Sequence, residues 1–309
     1  MSDPKRAPHT LRDAVLQAAT RLDDADLSYG HGTDNALDEA AWLVGHTLGL
    51  ASHQLDRHLE RRLTPTEREA VTRIIDARIA TRKPAAYLLR EAWFAGLKFY
   101  VDERVIVPRS LIGESILDGL QPWVRAERVR RVLDLCTGSG CIAIAIAQAF
   151  PKAHVDAVDI SVDALDVARI NIEHYGLGQR VRPIQSDLYT ALGDERYDLI
   201  VTNPPYVDSR DMAELPEEYR HEPALALASG NSGLDAILHI LAEAHTYLQP
   251  DGLLVAEVGN SCVTLQQHLP TVPFTWLTTS TGDESVFLLT AAELTQHQSV
   301  FTTVRASLK

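Results

Sequence analysis

Val132-Leu133-Asp134-Leu135-Cys136-Thr137-Gly138-Ser139-Gly140 decides the fold. An apolar run broken by one acid reads as a buried strand, and Cys141-Ile142-Ala143-Ile144 resumes as an apolar helix. Between them, Gly138 and Gly140 let the backbone approach a ligand closely, while the helix N-terminus adds free N–H donors and a positive dipole end. Strand, glycine turn and helix in that order open a parallel α/β sheet. The alternation continues downstream, which predicts strands at 131–136, 154–159, 180–185, 197–202, 252–258, 274–279 and 284–290. Helices are expected at 140–149, 161–175, 233–248 and 261–269, and residues 292–309 read as a polar tail or peripheral helix.

The glycine loop admits two ligands. Gly138-x-Gly140-x-x-Ala143 matches the dinucleotide fingerprint, and Asp159 ends the second strand where an acid can meet ribose hydroxyls. The same geometry fits S-adenosylmethionine, which carries an adenosine and a zwitterion but no pyrophosphate. Asp187 follows the third strand, placed to meet an adenine amino group. With Asp134 these acids form a negative rim that repels pyrophosphate and tolerates a sulfonium. Each aspartate alone could be a helix cap; three together at one sheet edge are read as a site. The candidate cofactor residues are therefore Asp134, Cys136, Thr137, Gly138, Ser139, Gly140, Asp159, Ile160, Asp187 and Leu188, with Asn203 from the next motif.

That motif, Asn203-Pro204-Pro205-Tyr206, closes the strand Tyr197 to Thr202. Two prolines remove two N–H donors, so this corner presents carbonyl oxygens. Asn203 adds a side-chain carbonyl and Tyr206 a flat ring. A planar amino group conjugated to an sp² carbon fits such a corner: both N–H bonds are accepted and the ring covers its face. As Asn-Pro and Pro-Pro also mark turns, position decides. The fourth strand should lie beside the first, across the switch point from the cofactor. Asn203, Pro204 and Tyr206 are then the catalytic candidates, without a histidine base, and Pro205 joins them in binding the acceptor. The stretch 207–232 is long for a loop and reads as a wall around the acceptor.

Upstream, apolar residues at Leu11, Val15, Ala18, Ala19 and Leu22 have helical spacing, as do Leu37, Ala40, Ala41, Val44 and Leu48. Thr64-Pro65-Thr66-Glu67 carries a cap, a proline at the first helical position and a reciprocal Glu, with Val71, Ile74, Ile75 and Ile79 behind it. A small helical domain, 1–88, is expected before a catalytic domain, 89–309. His46, His53 and His58 have no metal-ligand spacing, and no metal is expected. Aromatic and β-branched residues from Trp93 to Val107 predict a β-ribbon between the domains, followed by Arg109 as a residue able to close over a ligand.

Length favours two domains. The net charge of −13 argues against a nucleic-acid-gripping surface and for a basic protein partner. No apolar run reaches membrane-helix length, residues 1–6 lack a signal-peptide core, and three cysteines make no disulfide framework, so a cytoplasmic protein is expected.

On these motifs the chain resembles the amino-methyltransferases that carry Asn-Pro-Pro-Tyr, among them DNA adenine enzymes and the protein glutamine N5-methyltransferases of the HemK/PrmC type. The second resemblance covers nearly the whole chain, including Lys83-Pro84-Ala85-Ala86-Tyr87, Pro108-Arg109 and Glu222-Pro223-Ala224-Leu225-Ala226-Leu227. It implies a seven-stranded, mostly parallel, Rossmann-like class I methyltransferase sheet with an N-terminal helical substrate-recognition domain. Within the family, Pro108-Arg109-Ser110-Leu111-Ile112-Gly113-Glu114 is similar to the branch that methylates the third large-subunit ribosomal protein. Release-factor enzymes usually read Pro-Arg-Pro-Asp-Thr-Glu there. Cys136 stands at the family's first-glycine position, and Ser232 replaces an Asp common in the family. A nucleotide-dependent oxidoreductase and a non-catalytic ribosome-assembly factor are the readings from other classes.

Overall fold

The computed structural model describes residues 9–279, 282 and 284–308. The stretch 1–6, and the side chain of His53, lie outside the described residues. The chain divides into two compact units, Met1–Ala92 with Pro216–His221, and Trp93–Leu215 with Glu222–Lys309.

The first unit is helical: α1 Leu11–Asp24, α2 Ala36–Thr47, α3 Ser52–Leu55, α4 Pro65–Thr81 and α5 Ala85–Leu89. Thr10 and Thr64 cap α1 and α4 with reciprocal bonds from Asp13 and Glu67, satisfying N–H groups the helices leave free. Leu11, Val15, Ala18 and Leu22 meet Ala40, Leu43, Val44, Val71 and Ile75 in one core. Leu37, expected on the buried stripe, is exposed, and Leu43 fills the core instead. The unit also holds Pro216–His221 from far down the chain. Its Glu218 is fully buried, 2.7 Å from Arg82 Nη2, and accepts the Ser28 N–H at 3.1 Å. Arg78, equally buried, gives its Nε–H to Glu39 at 2.8 Å.

The ribbon β1 Ala92–Phe94 and β2 Leu97–Phe99 turns at Ala95 and Gly96, both at positive φ as a tight hairpin turn requires. The second unit continues with α6 Ile112–Leu117, β3 Arg131–Leu135, α7 Cys141–Ala149, β4 His154–Asp159, α8 Val162–His174, β5 Val181–Gln185 and β6 Tyr197–Thr202. After β6 come α9 Ser209–Glu214, α10 Asp235–Tyr247, β7 Leu248–Glu257, α11 Cys262–His268, β8 Thr275–Leu277, β9 Val286–Thr290 and α12 Ala291–Ser307. The seven-stranded sheet runs β5-β4-β3-β6-β7-β9-β8, parallel except for β9. This is the expected class I methyltransferase architecture.

Two segments exceed their sequence reading. β7 begins at Leu248 because Leu248 pairs with Tyr197 before a register shift. The polar C-terminal stretch is a capped helix whose Leu294 and Phe301 are fully buried, so it belongs to the core. Leu135 pairs with both Val158 and Thr202, which sets the ends of β4, β3 and β6 side by side. Strand order reverses between β3 and β6, and ligands bind at such a point.

Candidate active site

The loop after β3 is built by a buried acid. Asp134 Oδ2 accepts the Thr137 hydroxyl at 2.5 Å and the Ala143 N–H at 3.0 Å, tying strand, turn and first helical turn together. Burial pushes its carboxyl up to about 7 against these two bonds. Asn171 of α8, also buried, donates to the Ser139 carbonyl at 2.9 Å and to the Tyr100 carbonyl at 3.0 Å. Nothing in the sequence marked Asn171; it looks like any polar residue of an amphipathic helix. Gly140, at φ +78°, caps α7 against Ala168, whose Cβ would lie 3.3 Å from an added Cβ. Gly138, at φ +55°, would direct an added Cβ into open space.

Cys136 stands at φ +59°, the left-handed region where a glycine costs nothing. Burial holds its thiol well above the ordinary range.

Asp159 ends β4 and accepts the Gly138 N–H at 2.8 Å and the Ser161 N–H at 2.9 Å. Ser161, not Asp159, caps α8. Burial raises the Asp159 carboxyl, and the backbone donors offset part of that rise.

A cavity of about 350 Å³ opens over these strand ends, within the roughly 300–1,000 Å³ of small-ligand sites. Cys136, Gly138, Asp159, Ile160, Asp187, Leu188, Asn203 and Pro205 line it. Asp134, Thr137, Ser139 and Gly140 are not among the lining residues; they shape the loop that is. Pro223, Leu225, Ala228, Ser229 and Gly230, all within the stretch 207–232 read as a wall, line the cavity too, with Ile106, which the sequence placed only in the ribbon. His239 also lines the cavity, its Nε2 2.9 Å from Glu243 one helical turn away.

Asn203 carries the decisive feature. Its Oδ1 is shut off from solvent and has no hydrogen-bond partner among the described residues. Buried acceptors are almost always satisfied, which makes this oxygen, on a residue that lines the cavity, a candidate acceptor for a ligand hydrogen. Pro204 is buried beside it. Tyr206 faces a second cavity of about 510 Å³, shared with Arg109, Leu111, Glu257, Asn260 and Glu284. Arg109 meets Glu222 with both terminal nitrogens, at 2.6 and 2.7 Å, and Glu222 also accepts the Val107 N–H. Glu257 accepts the Ser110 hydroxyl at 2.6 Å and the Leu111 N–H at 2.9 Å. Among the described residues no cluster could hold a metal ion, and no helix is long and apolar enough to cross a membrane.

S-adenosylmethionine suits this donor set. A negative rim, an open glycine backbone and a carboxylate at the second strand end match a sulfonium, an amino acid and a ribose better than a pyrophosphate.

Comparison with known proteins agrees. Residues 119–230 match the family model described as methyltransferase small domain, and residues 13–89 match the PrmC N-terminal domain. A protein of Burkholderia pseudomallei named ribosomal protein uL3 glutamine methyltransferase is 53% identical, the match covering 92% of this chain and 95% of that one. Proteins of the same name from Neisseria meningitidis serogroup A and Bordetella pertussis are 52% and 50% identical. Those matches cover 92% of this chain and 94% and 96% of theirs.

Proposed function

We propose, because the chain belongs to the family of ribosomal protein uL3 glutamine methyltransferases, that it methylates the side-chain amide nitrogen of a glutamine in that ribosomal protein, with S-adenosylmethionine as donor. The observation that carries this reading is the buried, unpartnered Oδ1 of Asn203 at the edge of the cofactor cavity. An oxygen without a hydrogen is an acceptor only, so it calls for a donor hydrogen on the substrate, which an amide N–H supplies.

S-adenosylmethionine, when bound, supplies an electrophilic methyl carbon on a sulfonium. Gly138 and Asp159 would hold its amino-acid and ribose portions, and Asp187 the adenine edge. The rest is done by this chain's own groups. An amide nitrogen is a weak nucleophile because its lone pair is delocalised into the carbonyl. Asn203 Oδ1 accepts one N–H and the Pro204 carbonyl the other, which orients the nitrogen and places dipoles where positive charge develops. The ring of Tyr206 covers the amide face and keeps water out. A carbon–nitrogen bond forms as the carbon–sulfur bond breaks, and one N–H proton then leaves to solvent. No histidine base is required.

The acidic protein suits a basic ribosomal protein by charge. Release-factor and DNA adenine methylation are the less favoured readings. The resemblance makes the helical unit, 1–88 on the sequence reading, the part that selects the protein substrate. Asn203→Ala tests the assignment: methyl transfer should fall at least 10²-fold, the scale of losing one preorganised polar contact. S-adenosylmethionine should bind within a few-fold of wild type. Equal loss of both would remove Asn203 from the acceptor site.

A further inference from the structure

Three residues, Gly233 and the pair Gly259 and Ser261 of one short turn, converge on Tyr206. Gly259 has φ +44°, and a Cβ there would fall 2.4 Å from Cε2 and 2.6 Å from Cζ of the Tyr206 ring. Gly233 has φ +74°, and a Cβ there would fall 2.4 Å from the Tyr206 carbonyl oxygen and 2.4 Å from Ser261 Oγ. Ser261 Oγ–H donates to that same carbonyl at 2.8 Å. Just beyond, the Val207 N–H donates to the Leu227 carbonyl and the Val207 carbonyl accepts from the Ser229 N–H, both at 2.8 Å. The backbone of Tyr206 is thus clamped on its carbonyl and followed by a paired residue. Its ring lies directly on the backbone of Gly259.

We infer that Gly259, Gly233 and Ser261 are positioning residues for methyl transfer: they act through Tyr206, fixing its ring plane over the acceptor amide. The inference rests on the reading that Tyr206 covers that amide. Carbon atoms in contact sit about 3.5–4.0 Å apart, so a methyl group at 259 would force the ring aside by about 1 Å. Misplacement on that scale costs up to about 10²-fold in rate. Gly259 and Ser261 do not line the cofactor cavity, so cofactor affinity should be untouched. Ser261→Ala removes only a hydrogen bond, leaves the space around Tyr206 intact, and should act in the same direction with a smaller effect.

The experiment measures kcat and KM for the ribosomal protein, and Kd for S-adenosylmethionine, in Gly259→Ala, Ser261→Ala, Tyr206→Ala and both double variants with Tyr206→Ala. Gly259→Ala should lower kcat 10- to 100-fold and Ser261→Ala several-fold, with Kd unchanged. In the Tyr206→Ala background neither change should lower kcat further, a coupling that general loss of structure would not produce. Additive losses would overturn the inference, as would wild-type kcat in both single variants. Should Gly259→Ala fail to fold, Ser261→Ala and its double variant decide alone. Wild-type kcat in Tyr206→Ala would instead sink the role of Tyr206 itself.

Discussion

Asp134→Asn should change how the stability of the protein depends on pH. The wild-type carboxyl titrates at about 7 in the folded state and near its ordinary 3.8 when the chain is unfolded. Burial is the main cause, since Asp134 has no solvent exposure and its Oδ1 has no hydrogen-bond partner among the described residues. Between these two values the folded state keeps a proton that the unfolded chain has released. Stability from this group is therefore fully present below pH 4 and is lost as pH rises through 7. Each unit of pH is worth about 1.4 kcal/mol, so the whole span is worth about 4 kcal/mol. Asparagine can accept the Thr137 and Ala143 bonds but does not titrate, and its buried amide costs a constant amount at every pH. Urea unfolding at half-unit intervals from pH 5 to 8, without cofactor, measures the difference between the two proteins. The stability of wild type minus that of Asp134→Asn should fall by about 2 kcal/mol between pH 5 and 7 and flatten by pH 8. Parallel pH profiles would refute the claim that this acid is buried at a cost under the loop.

Other substitutions test other parts of the fold. Cys136→Gly relieves a left-handed backbone worth about 1–2 kcal/mol and loses a packed sulfur. It should unfold within about 1 kcal/mol of wild type, whereas the β-branched Cys136→Val should cost at least about 2 kcal/mol more. In the helical unit, Glu218→Ala leaves Arg78 buried beside an empty site and should destabilise that unit by about 3 kcal/mol. Hydrogen exchange in α4 would report it, and unchanged protection there would count against a buried ion network. Asn171→Ala removes three bonds, two with Tyr100 and one with Ser139. S-adenosylmethionine affinity should drop about tenfold by calorimetry, with the loop amides exchanging faster.

Local chemistry made most of the fold legible. The threonine cap at 64 and the strand–glycine–helix signal at 132–144 are short-range features whose physics is complete within a few residues. Because β3 and β6 pair in parallel, the two motifs read separately in the sequence meet at adjoining strand ends. Pairings over long separations stayed invisible. Arg109 meets Glu222 across 113 residues, and Ser28 meets Glu218 across 190, and no spacing rule connects them. The wall from Pro223 to Gly230 shows neither helical nor strand periodicity, so only its length hinted at a role. Leu37 was misplaced because a first-turn helical position satisfies the stripe pattern without facing the core. The polarity of α12 hid two buried side chains one seven-residue step apart, Leu294 and Phe301.

The most direct test of the central claim is methyl transfer from labelled S-adenosylmethionine to purified uL3 and, in parallel, to a class-one release factor, with the modified residue located by mass spectrometry. The account predicts label on the side-chain amide of a uL3 glutamine, lost in Asn203→Ala. Label confined to the release factor would contradict the substrate, and label on an atom other than an amide nitrogen would contradict the chemistry built on Asn203.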